Sequence, residues 1–354
     1  MQTTVLSKRA KVLSFRDTSW GGSILVAMSH SGTVRQIVRF IEETHPAEAV
    51  EMRSLLMHAK TAVELNDMIP ARLTIDLLEE LALCSKRSDI GIRFVEYLNT
   101  ADFGPLTLLC RHCKNFQEID RVSLKYLRIE NGAILPENLE EDKDHIASVQ
   151  QVIERAANGS TQFSLALVAL RVRMFRDYLD PAWQPVRVDL QSEEPPQAKH
   201  IRKYFGCPVI FNADRNAVVI SKADMQAPLP HPDPDTLKFL EHHFDNLINA
   251  WPENFVDQVT CIIESQMSKG QSSLRSVASG LGISPRSLQR RLCEYDLEFR
   301  DLVTEARIRR TEQYFAQAAR PNLTKLSLLL GFREQSSASR FLKQKMRRNL
   351  NSVS

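Results

Sequence analysis

Side chains able to read the edge of a base pair gather near the carboxyl end of this chain. Arg286, Gln289 and Arg290 follow Ser284-Pro285 at helix spacing, and Gln335, Ser336, Ser339 and Arg340 recur about fifty residues later. Arg can fork onto guanine O6 and N7, and Gln onto adenine N6 and N7, each good pair giving ~1 to 3 kcal/mol of discrimination. Ser284 and Pro285 suit the N-cap and first turn of a helix, which places the three donors early on its exposed face.

The segments that must hold these side chains say nearly the same thing twice. Leu274, Val277, Ala278 and Leu281 form an i, i+3, i+4, i+7 stripe followed by Gly282 and Ile283. Leu323, Leu326, Ser327 and Leu330 repeat it forty-nine residues on, followed by Gly331 and Phe332, and at that same offset Arg291 and Leu292 match Arg340 and Phe341. A short helix, a glycine free to take positive φ, and a second helix form a helix-turn-helix, the unit that lays a helix in a major groove. Between the copies, Phe299 to Phe315 carries Phe299, Leu302, Val303 and Ala306 on one face, with no Gly or Pro before Pro321. Its seventeen residues span roughly 25 Å as a helix. With the widths of the reading helices added, that suits a separation of about one duplex turn, ~34 Å.

Charge is distributed to match. From Phe255 to Ser354 there are 17 Lys and Arg against 9 Asp and Glu, whereas the rest of the chain holds 29 against 34, so a net charge of +3 hides a basic end on an acidic body. Such an end favours a polyanion. A length of 354 residues implies two domains. No apolar run approaches the roughly 18 residues of a membrane span. Gly22 to Met28 is too short, and too poorly flanked by Lys8, Arg9 and Lys11, to be a signal peptide. Six scattered cysteines are no disulfide framework, and the expected compartment is the reducing cytoplasm.

The preceding body reads as α+β. Val34, Ile37, Val38 and Ile41, then Leu73, Leu77, Leu78 and Leu81, predict helices within Val34 to Asn99. Phe116 to Ile153, broken by Asn131-Gly132 and Pro136, reads as strands and loops, and Phe163 to Leu179 as a helix ended by Asp180-Pro181. Val186 to Leu190, Cys207 to Phe211 and Ala217 to Ile220 predict strands, the last two joined as a hairpin through Asn212 to Asn216. The proline run Pro228 to Asp235 predicts an extended connector, followed by a helix over Thr236 to Asn249 and a break at Trp251-Pro252.

The block LRSVASGLGISPRSLQRRL, FRDLVTEARIRRTEQYF, LTKLSLLLGFREQSSASRFLKQ resembles the DNA-binding domain of AraC/XylS-type bacterial transcription regulators. The segment KYFGCPVIFNADRNAVVISKADMQAPLPHPDPDTL, and more loosely ADFGPLTLL, is similar to the arabinose-binding-like effector domain of one branch of that family. The resemblance implies an α+β effector-sensing and oligomerisation domain over 1–235, a connector over 236–252 and an all-α domain over 253–354, with two helix-turn-helix units joined by a linker helix. It also implies a sequence-specific, ligand-responsive activator, with promoter DNA, RNA polymerase and a small-molecule effector as partners and room for a homodimer. Arg286, Gln289 and Arg290 would face one groove, and Gln335, Ser336, Ser339 and Arg340 the next. Two departures stand out. Ala338 occupies a position where the family places a large apolar residue, and KMRRNLNSVS lacks the family's closing Gly and Pro, which predicts a frayed last turn and a weaker second unit.

Other motifs carry less. Cys110, His112 and Cys113 invite a metal- or thiol-sensing protein, or an enzyme, with an appended DNA-binding tail, but zinc needs about four ligands and no second pair stands at metal spacing. His242 and His243 read as solvated helix residues, and Cys293 as a small buried apolar one. No phosphate-cradling loop, nucleophile elbow or paired carboxylates stand out, so neither an enzyme nor a cofactor is expected, apart from the effector.

Overall fold

The computed structural model describes residues 26–65, 68–99, 105–154, 156, 158–249, 254–267, 269–317, 322–332 and 334–351. The signal-peptide reading rests largely on residues before these, and Trp251-Pro252 also lies outside them.

Among the described residues two large hydrophobic cores organise the chain, with a small third cluster of Ala147, Val149, Ala217 and Val219 on the sheet. The larger begins with a short strand β1 (Met28–His30) and helices α1 (Ser31–Thr44), α2 (Pro46–Glu51) and α3 (Arg53–Leu65). Strand β2 (Met68–Pro70) pairs antiparallel with β1, and α4 (Arg72–Ser85), α5 (Ile90–Tyr97) and α6 (Pro105–Cys110) follow. The predicted stripes on α1 and α4 are buried in full: Val34, Ile37, Val38 and Ile41 on one, Leu73, Leu77, Leu78 and Leu81 on the other. A correction comes next. Phe116 to Glu130, read from sequence as strand and loop, is helix α7, capped by the Asn115 side chain, which accepts from the Glu118 amide. Its buried residues Phe116, Ile119, Val122, Tyr126 and Ile129 keep helical spacing, a period obscured by Ser123, Lys125 and Arg128 between them.

Strands β3 (Ile134–Glu140) and β4 (His145–Val152), helix α8 (Thr161–Tyr178), strand β5 (Arg187–Asp189), helix α9 (Ala198–Phe205), strands β6 (Val209–Ile210) and β7 (Ala217–Ser221), and helix α10 (Lys222–Gln226) complete the sheet region. The sheet order is β3-β4-β7-β5-β6. The expected hairpin is therefore absent from it: β7 lies between β4 and β5, and β6 pairs parallel with β5 at Val188–Val209. Four buried residues in a row, Ala217 to Ile220, mark β7 as a central strand covered on both faces.

The proline run is no free connector. Leu229 donates its amide to the Lys114 carbonyl (2.9 Å) and Asp233 to the His112 carbonyl (3.1 Å). Helix α11 (Pro234–Asn249) then lies on α7, with the Tyr126 hydroxyl donating to Asp245 (2.8 Å) and Arg121 pairing with Glu241 (2.8 Å). The change to the smaller core falls between Phe244 and Phe255.

That core is built on α12 (Phe255–Met267), α13 (Leu274–Gly280), α14 (Pro285–Cys293), α15 (Phe299–Gln317), α16 (Leu323–Leu329) and α17 (Gln335–Asn351). Phe255, Val259, Ile262, Ile263 and Met267 of α12 form a buried face, and Leu302, Val303 and Ala306 of α15 join the same core. Met28 belongs to it as well. Helix α17 runs to Asn351, and the last three residues of the unusual closing segment lie outside the described residues.

Candidate functional site

The two helix-turn-helix units repeat at the level of single hydrogen bonds. The Ile283 amide reaches back five residues to the Ala278 carbonyl (3.0 Å), and the Phe332 amide does the same to Ser327 (2.9 Å). Gly282 and Gly331 take the left-handed φ that this chain reversal needs, +63° and +69°. Through the turns the offset is forty-nine residues, as the sequence predicts. Beyond them it becomes fifty: Leu288 donates to the Ser284 carbonyl, and Ala338 to that of Glu334. The second turn is one residue longer, which corrects the sequence alignment. Arg290 corresponds to Arg340, Leu288 to Ala338, and Arg291 to Phe341 rather than to Arg340.

This register sorts the candidate residues. On α14, Leu288 and Leu292 are buried, Ser284 caps by accepting from the Ser287 amide, and Arg286, Gln289 and Arg290 are exposed. Among the described residues no carboxylate pairs with Arg286 or Arg290. On α17, Ala338 is buried, Gln335, Ser336 and Arg340 are exposed, and Ser339 is half-buried. Ser336, Ser339 and Arg340 are thus the counterparts of Arg286, Gln289 and Arg290, with Gln335 one position earlier. Two long donors in the first unit are replaced by short hydroxyls in the second. Glu334 stands beside them, accepting from the Ser336 hydroxyl (3.1 Å).

Several braces were not legible in sequence. Arg307 of α15 donates Nε to the Leu330 carbonyl (3.1 Å) at the end of α16 and lies 4.2 Å over the Phe332 ring. Its guanidinium is half-buried, and burial lowers its pKa. Asn322 caps α16 by accepting from the Thr324 and Lys325 amides, and its own amide donates to the Tyr314 hydroxyl (2.9 Å). Arg291 stacks 5.2 Å over Phe255 and so faces the core side, not the reading side. Cys293, expected inside, is exposed, because Leu288 and Leu292 define the inward face of α14.

A ribbon from the larger body grips the first unit. Val26 exchanges two hydrogen bonds with the Gln258 side chain, receiving at its carbonyl from Nε2 (2.8 Å) and donating its amide to Oε1 (3.0 Å). Met28, with Val26 and Met68, packs into the smaller core, and the Pro70 ring abuts the Gly282 turn. The ribbon's other side is tied to the end of α7: the Gly132 amide donates to the Met28 carbonyl (2.7 Å), and Ser29 bridges Asn131.

Glu130 and Asn131 are also wall residues of a cavity of about 390 Å³ enclosed by α1, α5, α6, α7, α8, β3 and β4. Cys110 lines it, with its thiol pKa pushed up to about 12 by burial, and burial raises that of Cys113 as well. Thiols held so firmly protonated are poor nucleophiles and metal ligands. Arg171 was the missed signal: the one charged side chain among the buried residues of α8.

An α+β body joined to an all-α domain with two helix-turn-helix units is the layout of a transcription regulator. The arabinose-binding domain of AraC transcription regulators, N-terminal, matches residues 45–229, more than half of the chain, and the chain belongs to that family. It is 22% identical over 268 residues to the HTH-type transcriptional regulator VirS of Mycobacterium tuberculosis, covering 75% of this chain and 78% of VirS, in each of two strains. The crystal structure of the transcriptional regulator CdpR from Pseudomonas aeruginosa aligns at 16% identity and a TM-score of 0.42, covering 89% of this chain and 95% of that one. No helix among the described residues is long and apolar enough to cross a membrane.

Proposed function

We propose that this transcription regulator binds promoter DNA sequence-specifically through both helix-turn-helix units, and that a small molecule in the body's cavity governs the binding. One observation carries the DNA half: Arg286, Gln289 and Arg290 stand exposed, without acidic partners among the described residues, on a capped helix whose opposite face is locked in a core. A backbone held in that way needs no ordering on meeting a base edge, which leaves only the side chains to be fixed. Helix α15, about 28 Å long at nineteen residues, spaces the units. The reading extends to activation of neighbouring operons with RNA polymerase in the cytoplasm, and to a homodimer. It also divides the chain into sensing 1–235, connector 236–252 and DNA-binding 253–354 segments, with α11 carried on the sensing body.

An effector shifts DNA binding only through different affinities for two arrangements. The ribbon β1–β2 supports such coupling, since it touches the cavity wall at Asn131 on one side and the core shared by both units on the other. The test is selection of a binding site from random duplexes with the full chain, followed by gel-shift titration. An Arg286→Ala/Arg290→Ala double variant should lose the selected site, and wild type should show a steep fall of affinity with salt. Equal affinity for scrambled duplex would refute sequence-specific reading.

A further inference from the structure

We infer that the cavity takes an apolar small molecule carrying a single oxygen-acceptor head, met by Arg171, and not a sugar; the inference rests on the effector reading above. Most of its wall is hydrocarbon, including Phe94, Leu106, Leu127, Phe163, Leu167 and Leu170. Among the polar side chains that reach it, four at one side are already engaged. Arg171 Nη2 pairs with Asp120 (2.7 Å), Asn138 Nδ2 donates to the same carboxylate (2.6 Å), and Asn131 Oδ1 accepts from the Ala133 amide (2.9 Å). Thr33, Gln36, Ser148 and Gln150 add polar atoms, but a sugar with a hydroxyl on nearly every carbon would still set many of its hydroxyls against hydrocarbon, the costly arrangement for buried polar groups.

What the wall leaves over is specific. The Arg171 side chain is only 7% exposed, yet its Nε has no hydrogen-bond partner. The guanidinium is fixed over the Phe175 and Phe116 rings at 5.2 and 5.7 Å, so it cannot swing away to find one. Asp120 already balances its charge, so what Nε wants is an acceptor lone pair rather than a counter-ion; a carbonyl or a carboxylate supplies one. Oε2 of Glu130 is also buried without a partner, and burial raises that carboxyl's pKa, toward the neutral form that tolerates an apolar neighbour. Exposed wall residues stand at two places, Leu124, Glu137 and Asn138 at one and Arg111 and Asp177 at another.

The experiment titrates the full chain, by calorimetry and thermal shift, with decanoate, 2-decanone, n-decylamine and L-arabinose below micellar concentrations. Decanoate or 2-decanone should bind and raise the melting temperature; binding by both marks a neutral acceptor as sufficient, and by decanoate alone a charged one. Leu167→Trp, which fills the cavity, and Arg171→Lys, which keeps the charge against Asp120 but removes Nε, should each weaken binding at least tenfold. Binding of arabinose that Leu167→Trp abolishes, preference for decylamine, indifference to Arg171→Lys, or no binding by any probe overturns the inference. Gel shifts run alongside keep the parent reading separate: a wrong ligand class leaves Arg290-dependent DNA binding intact.

Discussion

Gly282 and Gly331 sit at equivalent places with nearly equal φ, so replacing each by Ala isolates what the added methyl meets. The strain of a left-handed Ala, about 1 kcal/mol, is common to both. At Gly331 the new Cβ would stand 2.4 Å from the Met267 carbonyl oxygen, backbone at the end of α12 that cannot turn aside. At Gly282 it would stand 3.0 Å from the Pro70 ring of the ribbon, a neighbour that yields by a few tenths of an ångström. Overpacking against backbone adds ~1 to 3 kcal/mol, so Gly331→Ala should loosen the second unit by about 2 to 4 kcal/mol in all. Hydrogen exchange reads this directly. The Phe332 amide, bonded to the Ser327 carbonyl, should exchange about 30 to 900 times faster, whereas the corresponding Ile283 amide in Gly282→Ala should gain tenfold or less. Equal acceleration at the two sites would refute the packing argument and reduce both glycines to their dihedral angles.

Other consequences can be measured independently. Arg290→Ala should weaken binding to a selected duplex by about 5- to 150-fold, on ~1 to 3 kcal/mol per lost base contact, and Arg340→Ala by less, because Ser336 and Ser339 replace the long donors beside it; equal losses in gel shifts would contradict that ranking. Asp89 is fully buried; burial pushes its carboxyl up, but hydrogen bonds from Arg87 and His200 and the charge of Arg93 outweigh this and hold the pKa at about 2. Its contribution, no more than about 2 kcal/mol, is present above pH 4 and lost as pH falls from about 4 to 2; urea titrations of Asp89→Asn should lack that acid-limb loss, and an unchanged slope would count against the assignment. Gln258→Leu removes both hydrogen bonds to Val26 and, at ~1 kcal/mol each, should speed exchange at that amide about 10- to 30-fold; unchanged exchange would mean the ribbon is held by Met28 alone.

Local physics was readable wherever one short segment carried all of it. The stripe, glycine and cap of each helix-turn-helix lie within about twelve residues, so both units and the linker helix are plain in sequence. The register past the second turn was not: an extra residue in the turn changes nothing in the apolar stripe before it, and Arg340 looked like the partner of Arg291 until the burial of Leu288 and Ala338 fixed the phase. Helix α7 was missed because basic and hydroxyl residues break up its apolar spacing, and β7 was misplaced because its partners β4 and β5 are chosen by tertiary packing, not by the nearest turn. The cavity wall is drawn from seven elements, and only the stray arginine at 171 hinted at it. The ribbon contact joins positions 232 residues apart, beyond the reach of any periodicity.

That separation has a consequence for biosynthesis. At roughly 5 to 20 residues per second, a ribosome finishes Val26 and Met28 about 10 to 50 seconds before Gln258 and its neighbours exist. During that interval the amino-terminal ribbon waits with its apolar side chains unsheltered, and on a crowded polysome the socket that finally closes over Met28 can belong to the chain ahead. Slower translation or higher expression should therefore favour strand-exchanged dimers, which dilution after synthesis does not quickly undo.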